Sequence, residues 1–448
     1  MELYMDIKLP TSIKKLLTRF SDNGYEGYLV GGCVRDSILK RENFDWDITT
    51  NATPDQIIEL FNDYRTVPTG IKHGTVTVVT DKINVEVTTY RIDGDYKDNR
   101  HPEEVIFSRN LTDDLLRRDF TINTLCYNLK EGFVDKLGGL EDLANKIIRA
   151  VGEPDKRFNE DALRIMRAIR FAAQLGFTIE EKTKESIFRN KHLLKNISVE
   201  RLAAELIKLI CGEYACEVLS EYGPIIFEFI PELECEYKHK QIGKKHAYDI
   251  WNHTCHAIKN IEKDKILRLT MLLHDIGKVP TESFDEDGNS TFKNHAAVGG
   301  EIALKVLKRL KLDNKTVDTV SYLVSIHDKR VPLTKIDVKK YLRDTGDENF
   351  LRMMKIRKAD RGALSDGFND ISQEVQNALS WYAQIKENNE CYSLNQLHIT
   401  GNDLIKIGVT GEKVGDMLNT ALDAVIEEVI PNKKKNILDY LEDMLCVK

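Results

Sequence analysis

Five short β-type runs crowd into the first 130 or so residues, and the pattern then changes. Gly27 to Val30, Trp46 to Thr49, Thr75 to Thr80, Asn84 to Tyr90 and Leu125 to Asn128 alternate with helical stretches. Val and Thr are frequent in these runs and Gly, Asn and Asp mark the breaks, which reads as a sheet packed with helices. After about Leu140 the periodicity is almost unbroken helix; in Glu160 to Leu175, Leu163, Met166 and Ile169 recur at helical spacing. An α+β chain is expected, with a small sheet and helices first and an all-α remainder after it.

At 448 residues, with about 150 residues per domain as a guide, roughly three units follow. Pro224 and Pro231 punctuate a boundary near residue 235, where a polar, lysine-rich, histidine-bearing stretch begins, and a weaker break lies near Asn388 to Asn395. The expected divisions are a head over 1–140, a helical neck over 141–235, a body over 236–388 and a helical tail over 389–448. The segment MELYMDIKLP lacks a basic stretch followed by an apolar one, and no run of about 18 apolar residues occurs. A soluble cytoplasmic protein without membrane attachment is the expectation. The 8 cysteines contain no C-x-x-C pair and read as reduced, structural thiols. The net charge of -7 does not suggest a nucleic-acid partner, but phosphate affinity depends on local basic surface. Lysines cluster at Lys182 to Lys195, Lys238 to Lys245 and Lys433 to Lys435.

The segment LVGGCVRDSILKRENFDWDITT carries the strongest chemical signal. A strand ending at Val30 runs into Gly31 and Gly32, whose missing side chains let backbone N–H groups approach a phosphate, and a helix begins directly after. Arg35 stands beside this cradle and suits a triphosphate. Asp45 and Asp47 flank Trp46, so both carboxylates leave one face of one strand. Such a hard oxygen pair suits Mg²⁺ together with substrate phosphates. An exposed D-x-D alone usually means nothing; the Gly-Gly turn before it gives it weight.

Cradle and acidic pair together resemble the head of the DNA polymerase beta superfamily, specifically the bacterial CCA-adding tRNA nucleotidyltransferases of class II. That resemblance implies template-independent addition of C, C and A to tRNA from CTP and ATP, with Asp45 and Asp47 holding the catalytic Mg²⁺. Glu86, in VEVTTYR, stands where related enzymes often carry a third carboxylate, and could equally orient a neighbour. RRDFTIN resembles the ribose and triphosphate motif, which implies Asp119 at the ribose hydroxyl with Arg118 and Asn123 near sugar and phosphates. The polar stretch from Arg91 to Asp114 resembles the mobile loop used for adding the terminal A, with Arg91, Asp95, Arg100 and Pro102 in matching positions.

EDALRIMRAIRF matches the family's E-D-x-x-R motif. Asp161 and Arg164, three apart, are expected to be neighbours on one helical face. A carboxylate accepting from an exocyclic amino group and a guanidinium donating to a ring acceptor read an edge that C and A share. U and G would leave buried groups unpaired. Asp135 with Gly138 and Gly139 resembles the hinge between head and neck, and Glu200 and Arg201 a later neck motif.

The body carries His253, His274, Asp275, His295, His327 and Asp360, residue types that coordinate divalent transition metals. Their order resembles the HD phosphohydrolase superfamily. The likeness implies a basic metal set of His253, His274, Asp275 and Asp360, with His295 and His327 added in two-metal versions; the metal's identity and the substrate stay open. The segment from Leu397 resembles, less specifically, a tRNA-contacting tail. Two other readings compete: a bacterial poly(A) polymerase or A-adding enzyme, sharing the head and neck motifs, and an HD metal phosphohydrolase whose N-terminal unit only binds RNA or nucleotide. A purely structural or interaction protein is a distant third.

Overall fold

The computed structural model describes residues 7–42, 45–80, 83–94, 105–242, 248–364 and 370–446. Asp95, Arg100 and Pro102 of the expected loop therefore lie outside the described residues. The chain divides into two compact units, Met1–Glu234 with Arg309–Lys311, and Cys235–Lys308 with Leu312–Lys448. The break after Glu234 lies just past Pro224 and Pro231, while Arg309–Lys311 of the expected body groups with the first unit.

The first unit opens with α1 (Thr11–Asp22), which buries Ile13, Leu16, Leu17 and Phe20 along one stripe. The strands are β1 (Gly27–Val30), β2 (Trp46–Thr50), β3 (Arg65–Gly70), β4 (Thr75–Val79), β5 (Asn84–Thr89), β6 (Arg91–Asp93), β7 (Val105–Phe107), β8 (Cys126–Asn128) and β9 (Gly132–Val134). Seven form one sheet in the order β3-β4-β5-β2-β1-β8-β9, while β6 and β7 pair separately. Val76 and Val78 of β4, and Val85 and Val87 of β5, are fully buried and alternate with residues on the opposite face. The strands expected from sequence are present within a residue or two of their bounds. β3 was not legible, because Pro68 and Gly70 interrupt the pattern; it lies at the sheet edge with an irregular register between Val67 and Gly70, where proline is tolerated.

Helices α2 (Gly32–Ile38), α3 (Pro54–Leu60), α4 (Leu111–Leu116) and α5 (Gly139–Ala144) accompany the sheet. Among the described residues the rest is helical apart from two short strand pairs, Ile147–Ile148 with Thr178–Ile179 and Ser283–Phe284 with Ser290–Thr291, and continues with α6 (Pro154–Glu160), α7 (Leu163–Leu175), α8 (Glu181–Asn190), α9 (Val199–Ile210) and α10 (Ala215–Ile226). α7 is buried along most of its length, from Leu163 to Ala173.

The second unit comprises α11 (Ile250–Lys259), α12 (Lys265–Leu273), α13 (His295–Arg309), α14 (Asn314–Ile326), α15 (Lys335–Arg361), α16 (Ser372–Glu387), α17 (Gly401–Lys406), α18 (Lys413–Ile426) and α19 (Lys434–Cys446). α15 is broken at Gly346, whose φ of 75° and ψ of 165° no helix contains. Leu404, Leu422, Ile426, Ile437 and Leu441 pack as a core under α17, α18 and α19. No helix among the described residues is long and apolar enough to cross a membrane.

Candidate active site and candidate metal centre

In the first unit, β1 ends at Val30 and the chain turns through Gly31, at φ 81° and ψ -134°, into α2. A Cβ at Gly31 would lie 3.2 Å from Nη1 of Arg118, so the turn needs both glycine's backbone freedom and its lack of bulk. On the next strand, Trp46 and Ile48 are buried while Asp47 points to the opposite face. β2 and β5 run parallel, and Asp47 registers with Glu86. Strand β2 begins at Trp46, so Asp45 stands just before it, one pleat from Asp47. Sequence spacing placed Asp45 within the run.

The carboxyl of Asp47 is pushed up to about 6, first by burial, against the pull of Arg118, and further by the negative charges of Glu86 and Asp45. The three like charges are not drawn together as one group within 4.8 Å. An all-oxygen acidic face of this kind suits a hard divalent cation such as Mg²⁺.

Arg118 is held by a residue that the sequence reading passed over. Asp114, without exposed surface, accepts from Nη2 of Arg118 at 3.3 Å, from Nε of Arg117 at 2.9 Å and from Thr49 Oγ1 at 3.0 Å. Burial would raise its carboxyl, but Arg118 and Arg117 hold it below the ordinary value. Its spacing of three and four from those arginines on a helix was the available signal.

Arg35 is buried. Its Nη1 donates to Asn123 Oδ1 at 2.7 Å, and its Nε and Nη2 donate to Asp36, each at 2.9 Å. Asn123 in turn donates to Asp119 Oδ1 at 2.9 Å. The Asp119 carboxyl stays well below its ordinary value despite burial, because Arg167 and Asn123 bond to it.

Asp161 and Arg164 do not share a helical face. α6 ends at Glu160, Asp161 is extended at φ -137° and ψ 100°, and Arg164 lies inside α7. The correction has a local cause: Asp161 Oδ1 accepts from the backbone N–H of Leu163 at 3.1 Å, as a helix-start residue does, and the helical repeat breaks there. Asp161 Oδ2 accepts from Arg201 at 3.1 Å. Arg164 donates to Glu160 at 2.8 Å, to the Arg157 carbonyl at 3.0 Å and to the Arg117 carbonyl at 2.8 Å. Both side chains are therefore fixed in place, each from its own partners. Asp135 accepts from the backbone N–H groups of Gly139 and Leu140 at 2.9 and 2.8 Å, closing the turn into α5.

In the second unit His253 lies on α11, His274 and Asp275 follow α12, His295 starts α13, His327 follows α14, and Asp360 lies on α15. Each imidazole Nδ1 faces a backbone carbonyl: Ala363 for His253 at 3.3 Å, Met271 for His274 at 2.7 Å, Phe292 for His295 at 2.8 Å, Val324 for His327 at 2.7 Å. Those carbonyls accept the Nδ1 proton and leave the four Nε2 atoms as the inward-facing ends, the arrangement by which metal-ligating histidines are oriented. Nε2 of His253 and His274 lie 3.3 Å apart, and those of His295 and His327 lie 3.2 Å apart.

Asp275 spans the two pairs. Its Oδ2 is 3.5 and 3.3 Å from His253 and His274, and its Oδ1 is 3.9 and 3.8 Å from His295 and His327. Two groups with ligand-type atoms within 4.8 Å result, His253–His274–Asp275 and Asp275–His295–His327. Asp360 adds Oδ1 at 3.1 Å from His253. Burial opposes charge on His274, but Asp275 and Asp360 carry its pKa up to about 10, while burial and that neighbouring charge push His327 down to about 3. Positive charge belongs at the centre of this cluster, and the mixed imidazole and carboxylate donor set fits a divalent transition metal.

Three supports escaped the sequence reading. Arg357 donates to Asp360 Oδ2 at 3.0 Å, and Lys278 Nζ lies 2.8 Å from Asp275 Oδ2. Glu236 is fully buried with neither carboxylate oxygen bonded, and burial with the charge of Asp275 pushes it up to about 8. Glu236 is the last of three alternating glutamates in the turn Pro231–Glu236, and nothing in that pattern singles it out as the buried one.

Three stretches of the chain match known family profiles. Residues 27–149 match the family described as Poly A polymerase head domain, 176–234 the one described as "Probable RNA and SrmB- binding site of polymerase A", and 294–441 the one described as "tRNA nucleotidyltransferase domain 2 putative". The CCA-adding enzyme of Oceanobacillus iheyensis is 33% identical over 435 residues, 95% of each chain. That of Lactobacillus helveticus is 50% identical over 211 residues, 46% of this chain and 52% of the relative. The crystal structure of the Bacillus stearothermophilus CCA-adding enzyme in complex with CTP superposes over 98% of this chain and 99% of that one, with a TM-score of 0.73 at 27% identity.

Proposed function

The chain belongs to the CCA-adding enzymes, and on that premise we propose that it extends the 3′ end of tRNA by C, C and A, taken from CTP and ATP without a template. The observation that carries this reading is the parallel register of Asp47 with Glu86, with Asp45 just before β2 and near enough for its charge to act on Asp47. In the reaction the tRNA 3′ oxygen attacks the α-phosphorus of the nucleotide. A P–O ester bond forms, the bond to the β-phosphate oxygen breaks, pyrophosphate leaves, and the hydroxyl proton passes to solvent.

Asp45 and Asp47 are the residues for Mg²⁺, with Glu86 completing or orienting the acidic face. When bound, the ion supplies positive charge for the attacking and departing oxygens. The backbone at Gly31 and Gly32, with Arg118 and Arg35, serves the triphosphate. Asp119 and Asn123 serve the ribose, and Asp161 and Arg164 read the edge common to C and A. Fixing those two side chains through Arg201 and Glu160 supports selection without a template, because a preset edge rejects bases that leave it unpaired. The basic clusters of the neck and tail are the proposed tRNA contacts, and the cytoplasm is the proposed place of action.

Extension of tRNA lacking its end, one nucleotide at a time, tests this. CTP alone gives two additions and ATP then gives one. Unlimited A addition without use of CTP would mark a poly(A) polymerase instead.

A second activity is favoured by one specific observation, the two imidazole pairs joined by Asp275. This cluster is an HD-type site for divalent transition metal, and it hydrolyses phosphomonoesters or phosphodiesters at RNA ends. Hydrolysis that survives His274→Ala, or metal content independent of that residue, would remove this part of the reading.

A further inference from the structure

Three glutamates alternate through the turn Pro231–Glu236, and the fold treats them differently. Glu232 pairs with Arg309 at 2.6 Å, and Glu234 is exposed. Glu236 is fully buried, and neither of its carboxylate oxygens has a hydrogen-bond partner. A carboxylate buried without donors is costly, so an unpaired one in a folded core calls for a charge that completes it.

The segment that follows ties Glu236 to the histidine cluster. The His239 N–H donates to the Glu236 carbonyl at 3.2 Å, and the His239 carbonyl accepts from the Ile250 N–H at 3.1 Å, at the start of α11, which carries His253. Two residues on, Gln241 Oε1 accepts from Lys278 Nζ at 2.9 Å, and the same ammonium lies 2.8 Å from Asp275 Oδ2. The side-chain charges that act on Glu236 include those of Asp275, His274, Lys278 and Asp249. The two aspartates repel it, and Lys278 is committed to Asp275 and Gln241. What remains to balance Glu236 is positive charge at the group to which His274 belongs, His253–His274–Asp275.

We infer that Glu236 is a further acidic residue of the metal centre: its buried carboxylate balances a divalent transition-metal ion held by His253, His274 and Asp275. This inference rests on the metal-centre reading above. With the ion bound, the side chain strengthens its binding. Without the ion, the same side chain is an uncompensated buried charge and weakens the fold. Glu236 therefore couples loading of the centre to the stability of the second unit.

The test strips full-length protein of metal with a chelator and titrates Mn²⁺ by calorimetry, in wild type, Glu236→Gln, Glu236→Met, His274→Ala and Glu282→Gln. Thermal unfolding is followed without metal and with Mn²⁺. One Mn²⁺ equivalent, the one that His274→Ala loses, is expected to weaken about 10- to 100-fold in both Glu236 variants, the scale for partners of a metal ligand. Metal-free Glu236→Met is expected to melt above metal-free wild type, and to gain less in Tm when Mn²⁺ is added. Glu282→Gln removes a carboxylate that bonds the same segment, at His239 Nε2 2.8 Å away, and is expected to bind Mn²⁺ as wild type does. Unchanged Mn²⁺ affinity in Glu236→Gln and Glu236→Met overturns the inference, as does an equal loss in Glu282→Gln. If Glu236→Met does not fold, the affinity of Glu236→Gln decides in the same sense. Wild type that binds no Mn²⁺ defeats the metal-centre reading and the inference with it, whereas wild type that binds Mn²⁺ no more tightly than the Glu236 variants defeats the inference alone.

Discussion

Asp47 on β2 stands directly opposite Glu86 on the parallel strand β5. Directly opposed like charges repel across a sheet, and the carboxyl of Asp47 is raised first by burial and further by the charge of Glu86.

Asp47→Ala is expected to lower nucleotide addition on the order of a thousandfold, several kcal/mol of lost charge stabilisation, with thermal stability retained. Glu86→Gln keeps the shape and removes one charge. If Glu86 acts by orienting its neighbours, addition should fall about 10- to 100-fold, the scale for partners of a metal ligand. Single-turnover rates at saturating Mg²⁺ check both.

Proton and metal compete at Asp47. With its carboxyl near 6 in the metal-free protein, the group is mostly ionised at pH 7.5 and mostly protonated at pH 5.5. Apparent Mg²⁺ affinity should therefore weaken about fourfold between those values, read by Mg²⁺ titration of the addition rate. Affinity that strengthens as pH falls would contradict the assignment.

Asp114 holds Arg117, Arg118 and Thr49 together from a fully buried position. Asp114→Ala leaves two arginines without their counter-charge, and a loss of about 3–5 kcal/mol in chemical denaturation is expected. Its carboxyl is depressed in the folded state, so its contribution is present above the unfolded pKa and is lost as pH falls through the lower folded value. Wild type and variant should converge in stability on acidification.

The histidine cluster predicts a count. With Asp275 shared between two triads, Asp275→Asn should remove both bound metal equivalents, whereas His295→Ala should remove one and leave the His253–His274 pair loaded. Metal analysis of purified proteins distinguishes these outcomes.

What the sequence made legible was local. The five β-type runs and the Gly-Gly turn depend on neighbours within a few residues and recur in the fold at those positions, whereas the histidines and aspartates of the metal cluster, spread from His253 to Asp360, were legible only through the family resemblance. Three kinds of feature were hidden. β3 was masked by Pro68 and Gly70, acceptable only because the strand falls at an edge. The break at Asp161 was invisible, because helical spacing continues through it while its side chain bonds the Leu163 N–H instead. Partners distant along the chain left no trace: Arg201 on Asp161 spans 40 residues, and Arg167 on Asp119 spans 48.

The most direct test of the central claim is stepwise extension of tRNA lacking its 3′ end, in wild type and in the Asp45→Ala, Asp47→Ala double variant. Two C residues from CTP and a single A from ATP, absent in the folded double variant, is the predicted result. Addition that persists without both carboxylates, or ATP-only extension without limit, would contradict it.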